Sequence, residues 1–191
     1  QSGRGRKARI RSLCLVNYNN LYIGTMDGWV WKMIDNGSGS DQFVFKKLAT
    51  NGDVLPGVPV TCIVTDPNSS DGIYVTLGGV TEKGRVWRYL EDSWQDIGKS
   101  APKIQHNSIC IDTVTNYMYV GTDIGVWMTK DFGNNWVPYS TGLPMAPVVD
   151  LQIWPLLGPG GNFVSGQDAS KRYLRASTYG RGVYELELPN E

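Results

Sequence analysis

The amino-acid sequence predicts an all-β protein, a β-propeller of which four blades are visible. The main observation is a sequence pattern that recurs along the chain: an alternating apolar strand, a turn, and a second strand that carries a Val-Trp or Val-Tyr pair. Units of about 40 to 50 residues with several short strands, repeated at least four times, are typical of propellers. The pattern occurs at residues 21–31, 73–87, 118–127 and 173–184.

Three cysteines follow the same repeat. Cys14, Cys62 and Cys110 occur at equal intervals, each within an apolar stretch. We expect them at equivalent positions of successive sheets, about 10 Å apart, which is too far for a disulfide. They are predicted to be small core residues. Because no two of them are two to four residues apart, the ligand spacing of a zinc site is missing, and no metal is expected.

Each of the first two units contains four predicted strands of about five residues, joined by hairpin-type turns. In unit one, residues 11–58, the strands are 11–16, 21–25, 29–33 and 43–48. In unit two, residues 59–105, they are 60–65, 73–77, 85–90 and 94–97. Residues 1–10 are predicted to be a basic N-terminal segment or a latch strand.

The last two units follow the same order, but the final one is short of a strand. In unit three, residues 106–147, the strands are 107–113, 117–122, 125–129 and 136–140. In unit four, residues 148–191, they are 148–154, 172–177 and 183–188, with a Gly/Pro-rich insertion at 157–170. The missing outer strand is expected from residues 6–11, from upstream sequence or from a second copy.

The number of units also predicts an incomplete ring. Propellers normally close with four to eight blades, and four is rare. We therefore expect the chain to be part of a six- to eight-bladed ring or one half of a dimeric ring. The basic start has no apolar segment of a signal peptide, which indicates a removed leader or a start inside a longer chain.

Composition excludes two classes of partner. The 18 basic and 18 acidic side chains cancel, so no net field attracts nucleic acid. No apolar run approaches the roughly 20 residues that span a bilayer. We expect neither nucleic-acid binding nor a membrane span.

One turn carries a recognisable motif. Thr129-Lys-Asp-Phe-Gly-Asn-Asn-Trp136 matches Ser/Thr-x-Asp-x-Gly-x-x-Trp, and it resembles the Asp box of bacterial-neuraminidase-repeat propellers. The surrounding units look like the last blades of sortilin-like and xyloglucanase-like proteins. In its place, unit two has Asp92-Ser-Trp94. We expect Asp131 to accept backbone N–H bonds, Gly133 to adopt a positive φ and Trp136 to pack over the hairpin. The resemblance implies that the box lies at the periphery, away from any active site.

A candidate binding site lies in the turns between second and third strands, which emerge on one face of a propeller. A glycosidase needs two carboxyl groups about 5 to 10 Å apart, and acidic side chains in these turns could meet there. The alternative is that Asp27 and Asp123 only form hairpin turns. A sialidase would need a cluster of arginines, which these turns lack. The candidate residues are Asp27, Glu82, Asp123, Tyr179 and Arg181.

The sequence shows no further residues that would form a catalytic or cofactor site. His106, the only histidine, lies in a polar link between units and is predicted to be exposed. No phosphate loop, haem motif or calcium loop is found, so no cofactor is expected.

Two functions remain. The sequence favours a non-catalytic propeller that binds a protein partner or a second copy, as a scaffold or assembly subunit. The alternative is the C-terminal part of a secreted glycoside hydrolase or a glycan-binding propeller. The resemblance implies an extracytoplasmic or secreted location.

Overall fold

Fifteen β-strands make up the regular structure of the residues that the computed structural model describes. They form four antiparallel sheets in which the strands follow sequence order, and sheets 1, 2 and 3 have four strands whereas sheet 4 has three. The described residues are 9–17, 19–37, 42–49, 54–139, 141–154 and 171–189.

The strand bounds follow the predicted units. Sheet 1 contains β1 (Ile10–Asn17), β2 (Asn20–Thr25), β3 (Val30–Asp35) and β4 (Phe43–Ala49). Sheet 2 contains β5 (Val60–Thr65), β6 (Ile73–Leu77), β7 (Val86–Leu90) and β8 (Ser93–Asp96). Sheet 3 contains β9 (His106–Ile111), β10 (Met118–Thr122), β11 (Gly125–Thr129) and β12 (Val137–Pro138). Sheet 4 contains β13 (Val148–Trp154), β14 (Arg172–Thr178) and β15 (Gly182–Leu188).

The predicted strands are confirmed to within two residues at each end. The shortest is β12, although the Tyr139 N–H extends its bonding to β11 by donating to the Val126 carbonyl at 2.8 Å. The prediction that sheet 4 has three strands holds for the described residues. The insertion at 157–170 and the segment 1–8 lie outside them.

The sheets pack face against face in chain order. Contacts join β1 to β5, β5 to β9 and β9 to β13, and one hydrophobic cluster fills each interface. Between sheets 1 and 2, Tyr22 and Val30 of sheet 1 pack with Val75 and Trp87 of sheet 2. Every residue of β6 and β10 is buried. These strands are apolar on both faces because both faces are covered.

A β-bulge interrupts the first strand of every sheet at the same point of its pairing with the second strand. It adds one residue to the first strand and shifts the register. Cys14 and Cys110 lie opposite a tyrosine of the second strand, whereas Cys62 lies opposite Thr76. The equivalent residue in sheet 2 is Val64. The predicted equivalence is therefore correct for two thiols and wrong by two residues for Cys62.

A buried ion pair links sheet 3 to sheet 4. Arg172 donates to both carboxylate oxygens of Asp112 at 3.0 to 3.2 Å, and both side chains are almost completely buried. Asp112 also accepts from the Val114 N–H and the Thr115 hydroxyl, which closes the turn after β9. Arg172 further donates to the carbonyl of Pro189. The charges are compensated by a full set of hydrogen bonds.

We predict that Asp112→Ala lowers the free energy of unfolding by about 3–5 kcal/mol, because it leaves a buried guanidinium without its counter-charge. Urea denaturation measures the loss. The control is Glu185→Ala, which breaks the half-exposed Arg175–Glu185 pair and is expected to cost about 1 kcal/mol or less. Equal losses in the two variants would contradict the prediction.

Candidate binding site on the loop face

The turns between second and third strands lie at one end of the sheets, together with the links between sheets. The starts of successive first strands are joined there by side chains: Ser12 donates to the Val60 carbonyl, Thr61 to His106 and Asn107 to Val148. We call this end the loop face. It comprises the turns 26–29, 78–85, 123–124 and 179–181 and the described residues of the links 54–59, 97–105 and 139–147.

One backbone hydrogen bond recurs in each sheet and fixes these turns. The first residue of the turn donates its N–H to the carbonyl just before the first strand. The turns therefore have the same position relative to their sheets. The four bonds run from Met26 to Arg9 (2.8 Å), Gly78 to Pro59 (2.8 Å), Asp123 to Gln105 (3.3 Å) and Tyr179 to Pro147 (2.8 Å).

Two of the predicted site carboxylates hold their own loops. Asp27 accepts from the Thr25 hydroxyl at 2.6 Å, and the same hydroxyl oxygen accepts from the Trp29 N–H at 2.9 Å. Asp123 accepts from the side-chain amide of Asn107 at 3.1 Å. Both bonds come from side chains of adjoining strands, Thr25 at the end of β2 and Asn107 in β9.

The other three predicted residues are free to face solvent. Glu82 pairs with Lys103 at 3.4 Å, and both side chains are mostly exposed. Tyr179 and Arg181 lie exposed in the β14–β15 turn. All five predicted residues share the loop face, but among the described contacts no hydrogen bond or ion pair joins any two of them.

The loop face also exposes apolar side chains that the sequence analysis did not single out. Val80 is 90% exposed, Met145 82% and Tyr179 77%. Met26, Val54 and Ile124 are exposed there as well. The sequence signal was a large apolar residue inside a turn, such as Val80 in a Gly-Gly-Val-Thr stretch, where polar residues are usual. Exposed apolar groups in turns that share one face are candidates for an interaction surface.

A cleft of about 310 Å³ opens on the loop face between the β6–β7 turn and the following link. Arg85 forms part of its wall and is 4% exposed. The guanidinium donates to the carbonyls of Thr81 and Lys103, which ties the turn to the link. Burial lowers the pKa of Arg85. The cleft is polar, and Glu82, Asp96, Lys83, Lys99 and Lys103 line the rest of it.

The turn from Thr129 to Trp136 lies at the opposite end of sheet 3. Asp131 accepts from the Asn135 N–H at 2.8 Å, which lowers the pKa of its carboxyl. Gly133 has a φ of +91°. Trp136 is buried, and its indole donates to the carbonyl of Ile97 in the preceding sheet at 2.8 Å. Asp131 and Gly133 have the hydrogen bond and the positive φ that the sequence predicts, whereas Trp136, predicted to pack over its hairpin, lies in the cluster between sheets 2 and 3.

His106 is the clearest correction. It was predicted to be an exposed loop residue, yet it begins β9 and has 0% exposure. Neither ring nitrogen has a hydrogen-bond partner of acceptable geometry. Burial, and then the charge of Arg85, lowers the pKa of His106 to about 4. The link looked polar in sequence because its neighbours Gln105 and Asn107 are polar, whereas the inward direction of His106 is set by the bulge.

No candidate metal centre emerges from the described part of the chain, where no three His, Cys, Asp or Glu side chains are grouped to hold an ion. Burial raises the pKa of Cys14, Cys62 and Cys110. Their thiols are therefore protonated at neutral pH and poor nucleophiles. None of the described residues forms a helix long and apolar enough to cross a membrane.

Several known structures resemble this chain in fold. No protein-family model and no curated protein matches the chain. An auxiliary nutrient-binding protein from Bacteroides thetaiotaomicron has a TM-score of 0.61 at 11% identity, over 93% of this chain. Structures described as the extracellular domains of a hybrid two-component system and of a one-component system from the same organism have TM-scores of 0.56 and 0.57, at 16% and 13% identity, over 96% of this chain. The chain spans 41%, 21% and 22% of their respective lengths. The likeness is one of fold.

We predict that the stability of the protein falls between pH 6.5 and about 4 because of His106. Its folded pKa is about 4 and its ordinary value is 6.5, so in this window the unfolded chain binds the proton and the folded one does not. The contribution is complete above pH 6.5 and decreases as the pH falls, by roughly 3 kcal/mol in total.

Urea denaturation at pH 4 to 7 measures this effect, and His106→Leu is the comparison. The ring nitrogens lack partners, so leucine should fold well at pH 7. The variant should lose the His106 part of the pH dependence and keep that of the carboxylates. Identical pH profiles for the two proteins would refute the assignment.

Proposed function

We propose that the four sheets are blades of a β-propeller and that the chain is a non-catalytic binding module, a scaffold or assembly subunit. The packing of the sheets in chain order supports this architecture, as do the bulge and the turn hydrogen bond that recur in every sheet. The chain forms part of a six- to eight-bladed ring or half of a dimeric one. The outer strand of the last blade comes from another segment or a second copy.

We further propose that the turn from Thr129 to Trp136 is an Asp box. Its support is the chelate-like set of bonds on Asp131, from the Thr129 hydroxyl and from the backbone and side-chain N–H groups of Asn135. The likeness to sortilin-like and xyloglucanase-like blades rests on this turn and on the repeated sequence pattern. The box stabilises the blade, and its residues Asn134 and Trp136 contact Ser100 and Ile97 of the link before sheet 3.

The observation that carries the proposed function is a contrast on the loop face. Asp27 and Asp123 each accept a hydrogen bond from a nearby side chain, whereas Glu82 stays mostly exposed beside Lys103. The exposed apolar side chains Val80, Met145 and Tyr179, by contrast, face solvent. Apolar groups rimmed by charged ones are typical of protein-binding surfaces. A protein partner that covers Val80 and Met145 is therefore the ligand this surface suits best.

An extracytoplasmic location is part of the proposal. The structural neighbours include a nutrient-binding protein and extracellular domains, and this fits a module that binds ligands outside the cell. The three free thiols do not oppose it, because burial protects them.

The second candidate is a glycan-binding propeller or the C-terminal part of a secreted glycoside hydrolase. The 310 Å³ cleft favours it, because Glu82 and Asp96 both line that cleft. Asp96 accepts from the N–H groups of Gly84 and Gly98. Its carboxylate therefore joins the β6–β7 turn to the link after β8. Glu82 is the remaining acid of the cleft, and a single carboxyl group supports binding better than hydrolysis.

We predict that Val80→Asp combined with Met145→Asp weakens partner binding at least tenfold, or about 1.4 kcal/mol, because it places charges in an apolar contact. The immobilised chain is incubated with an extract of its source, and a captured protein is then titrated against each variant. The control is Val114→Asp, which changes an exposed valine at the opposite end of sheet 3.

The same proteins are tested against a panel of soluble polysaccharides, with Glu82→Gln as the variant. Glycan binding that depends on Glu82 but not on Val80 and Met145 would select the second candidate. Equal losses from the loop-face double variant and from Val114→Asp would reject the loop face as the binding surface.

A further inference from the structure

Sheet 1 has one face that no other described part of the chain covers. Two rows of apolar side chains cross it, in register from strand to strand. Leu15 is 69% exposed, Leu13 58% and Phe45 54%. We call this surface the outer face of sheet 1. Its rows are Leu13, Ile23 and Trp31, and Leu15, Leu21, Met33 and Phe45.

The position of Leu13 is buried in each of the sheets that follow. Counted from the bulge, the residues equivalent to Leu13 are Ile63, Ile109 and Leu151, which are 4%, 2% and 4% exposed. In each case the preceding sheet covers them. The side-chain type is conserved within the chain while the exposure changes, so the outer face of sheet 1 is built as an interface.

The outer strand of sheet 1 differs from the outer strands of sheets 2 and 3 in the same way. Phe45 is equivalent by register to Trp94 in sheet 2 and to Trp136 in sheet 3. Each of these indoles donates to a carbonyl of the preceding sheet, Trp94 to Leu48 and Trp136 to Ile97, both at 2.8 Å. Phe45 has the aromatic ring of this contact and no preceding sheet to meet.

The covering surface has a common chemistry at all three interfaces. The preceding sheet contributes a tyrosine from its second strand and a valine from its third. The pairs are Tyr22 and Val30, Tyr74 and Val86, and Tyr119 and Val126. The free face of sheet 4 differs, because the position of the tyrosine is held by Arg175, which pairs with Glu185 at 2.6 Å. A second copy packed head to tail would offer the valine position, as the exposed Val183, but not the tyrosine.

We infer that the outer face of sheet 1 docks a further antiparallel β-sheet of the same construction, packed ahead of sheet 1 as sheet 1 is packed ahead of sheet 2. That sheet presents a tyrosine and a valine to the Leu13 and Leu15 rows. The inference rests on the blade architecture of the proposed function and not on its loop-face ligand. The greater length of the structural neighbours agrees with a longer series of sheets.

The test supplies the missing sheet from the chain itself. A tandem protein repeats residues 9–59 directly before Ile10, since Ile10 and Val60 occupy equivalent positions. Leu13→Asp is then made at the original position in the 191-residue chain and in the tandem protein. In the first, the change at an exposed site should shift the Tm by about 2 °C or less. In the second, it buries a charge and should lower the Tm by roughly 5 °C or more.

The control is Leu13→Asp in the added copy, whose own outer face is again uncovered, and it should shift the Tm as little as in the 191-residue chain. Equal small shifts at both positions of the tandem protein would overturn the inference, and so would an added sheet that fails to fold. Failure of the loop-face variants leaves this comparison unaffected.

Sedimentation of the 191-residue chain gives the independent measurement. A monomer that binds a dye for apolar surfaces, and loses that binding in Leu13→Asp, supports an open docking face. A dimer that Leu13→Asp dissociates would mean that a second copy occupies the face, which overturns the inference. A monomer without dye binding would also overturn it, because the face would then be covered.

Discussion

Burial of one sheet against the next is the interaction on which the structure depends. A single sheet of three or four short strands has apolar faces that must be buried against another layer. Each interface buries several large apolar side chains, and each of these contributes about 1.5–3 kcal/mol when it is removed from water. Polar contacts then set the spacing, as where Trp94 and Trp136 donate to carbonyls of the preceding sheet.

The bulge in each first strand connects this packing to the loop face. It lets Ser12, Thr61 and Asn107 donate across the interface to the start of the next first strand. The starts of the first strands are thus held side by side, and the second-to-third turns are bonded to the carbonyls just before them. The position of the loop face follows from interface geometry, whereas its chemistry is left to the turn residues.

The strands and their order could be predicted from sequence because alternation and turn residues are local signals. The repeated pattern around Tyr-Val-Gly-Thr identified the second strand of each sheet, and Asp131 and Gly133 identified the turn in which they lie. What could not be predicted depends on the neighbouring sheet. The inward direction of His106 and the shifted position of Cys62 both follow from the bulge, which leaves no mark in composition. Of the candidate site, the turn residues were found, but the exposed tips Val80 and Met145 were not, since exposure is a property of the packed sheets.

Within each turn, the groups that fix the chain path differ from the side chains that face solvent. The backbone bond from the first turn residue and the carboxylates of Asp27 and Asp123 fix the chain path. The tips beyond these bonds can change without disturbing the path. Met26, Val80, Ile124 and Tyr179 differ in type while the underlying hydrogen bond recurs, so the fixed chain path and the exposed side chains of these turns are separate features.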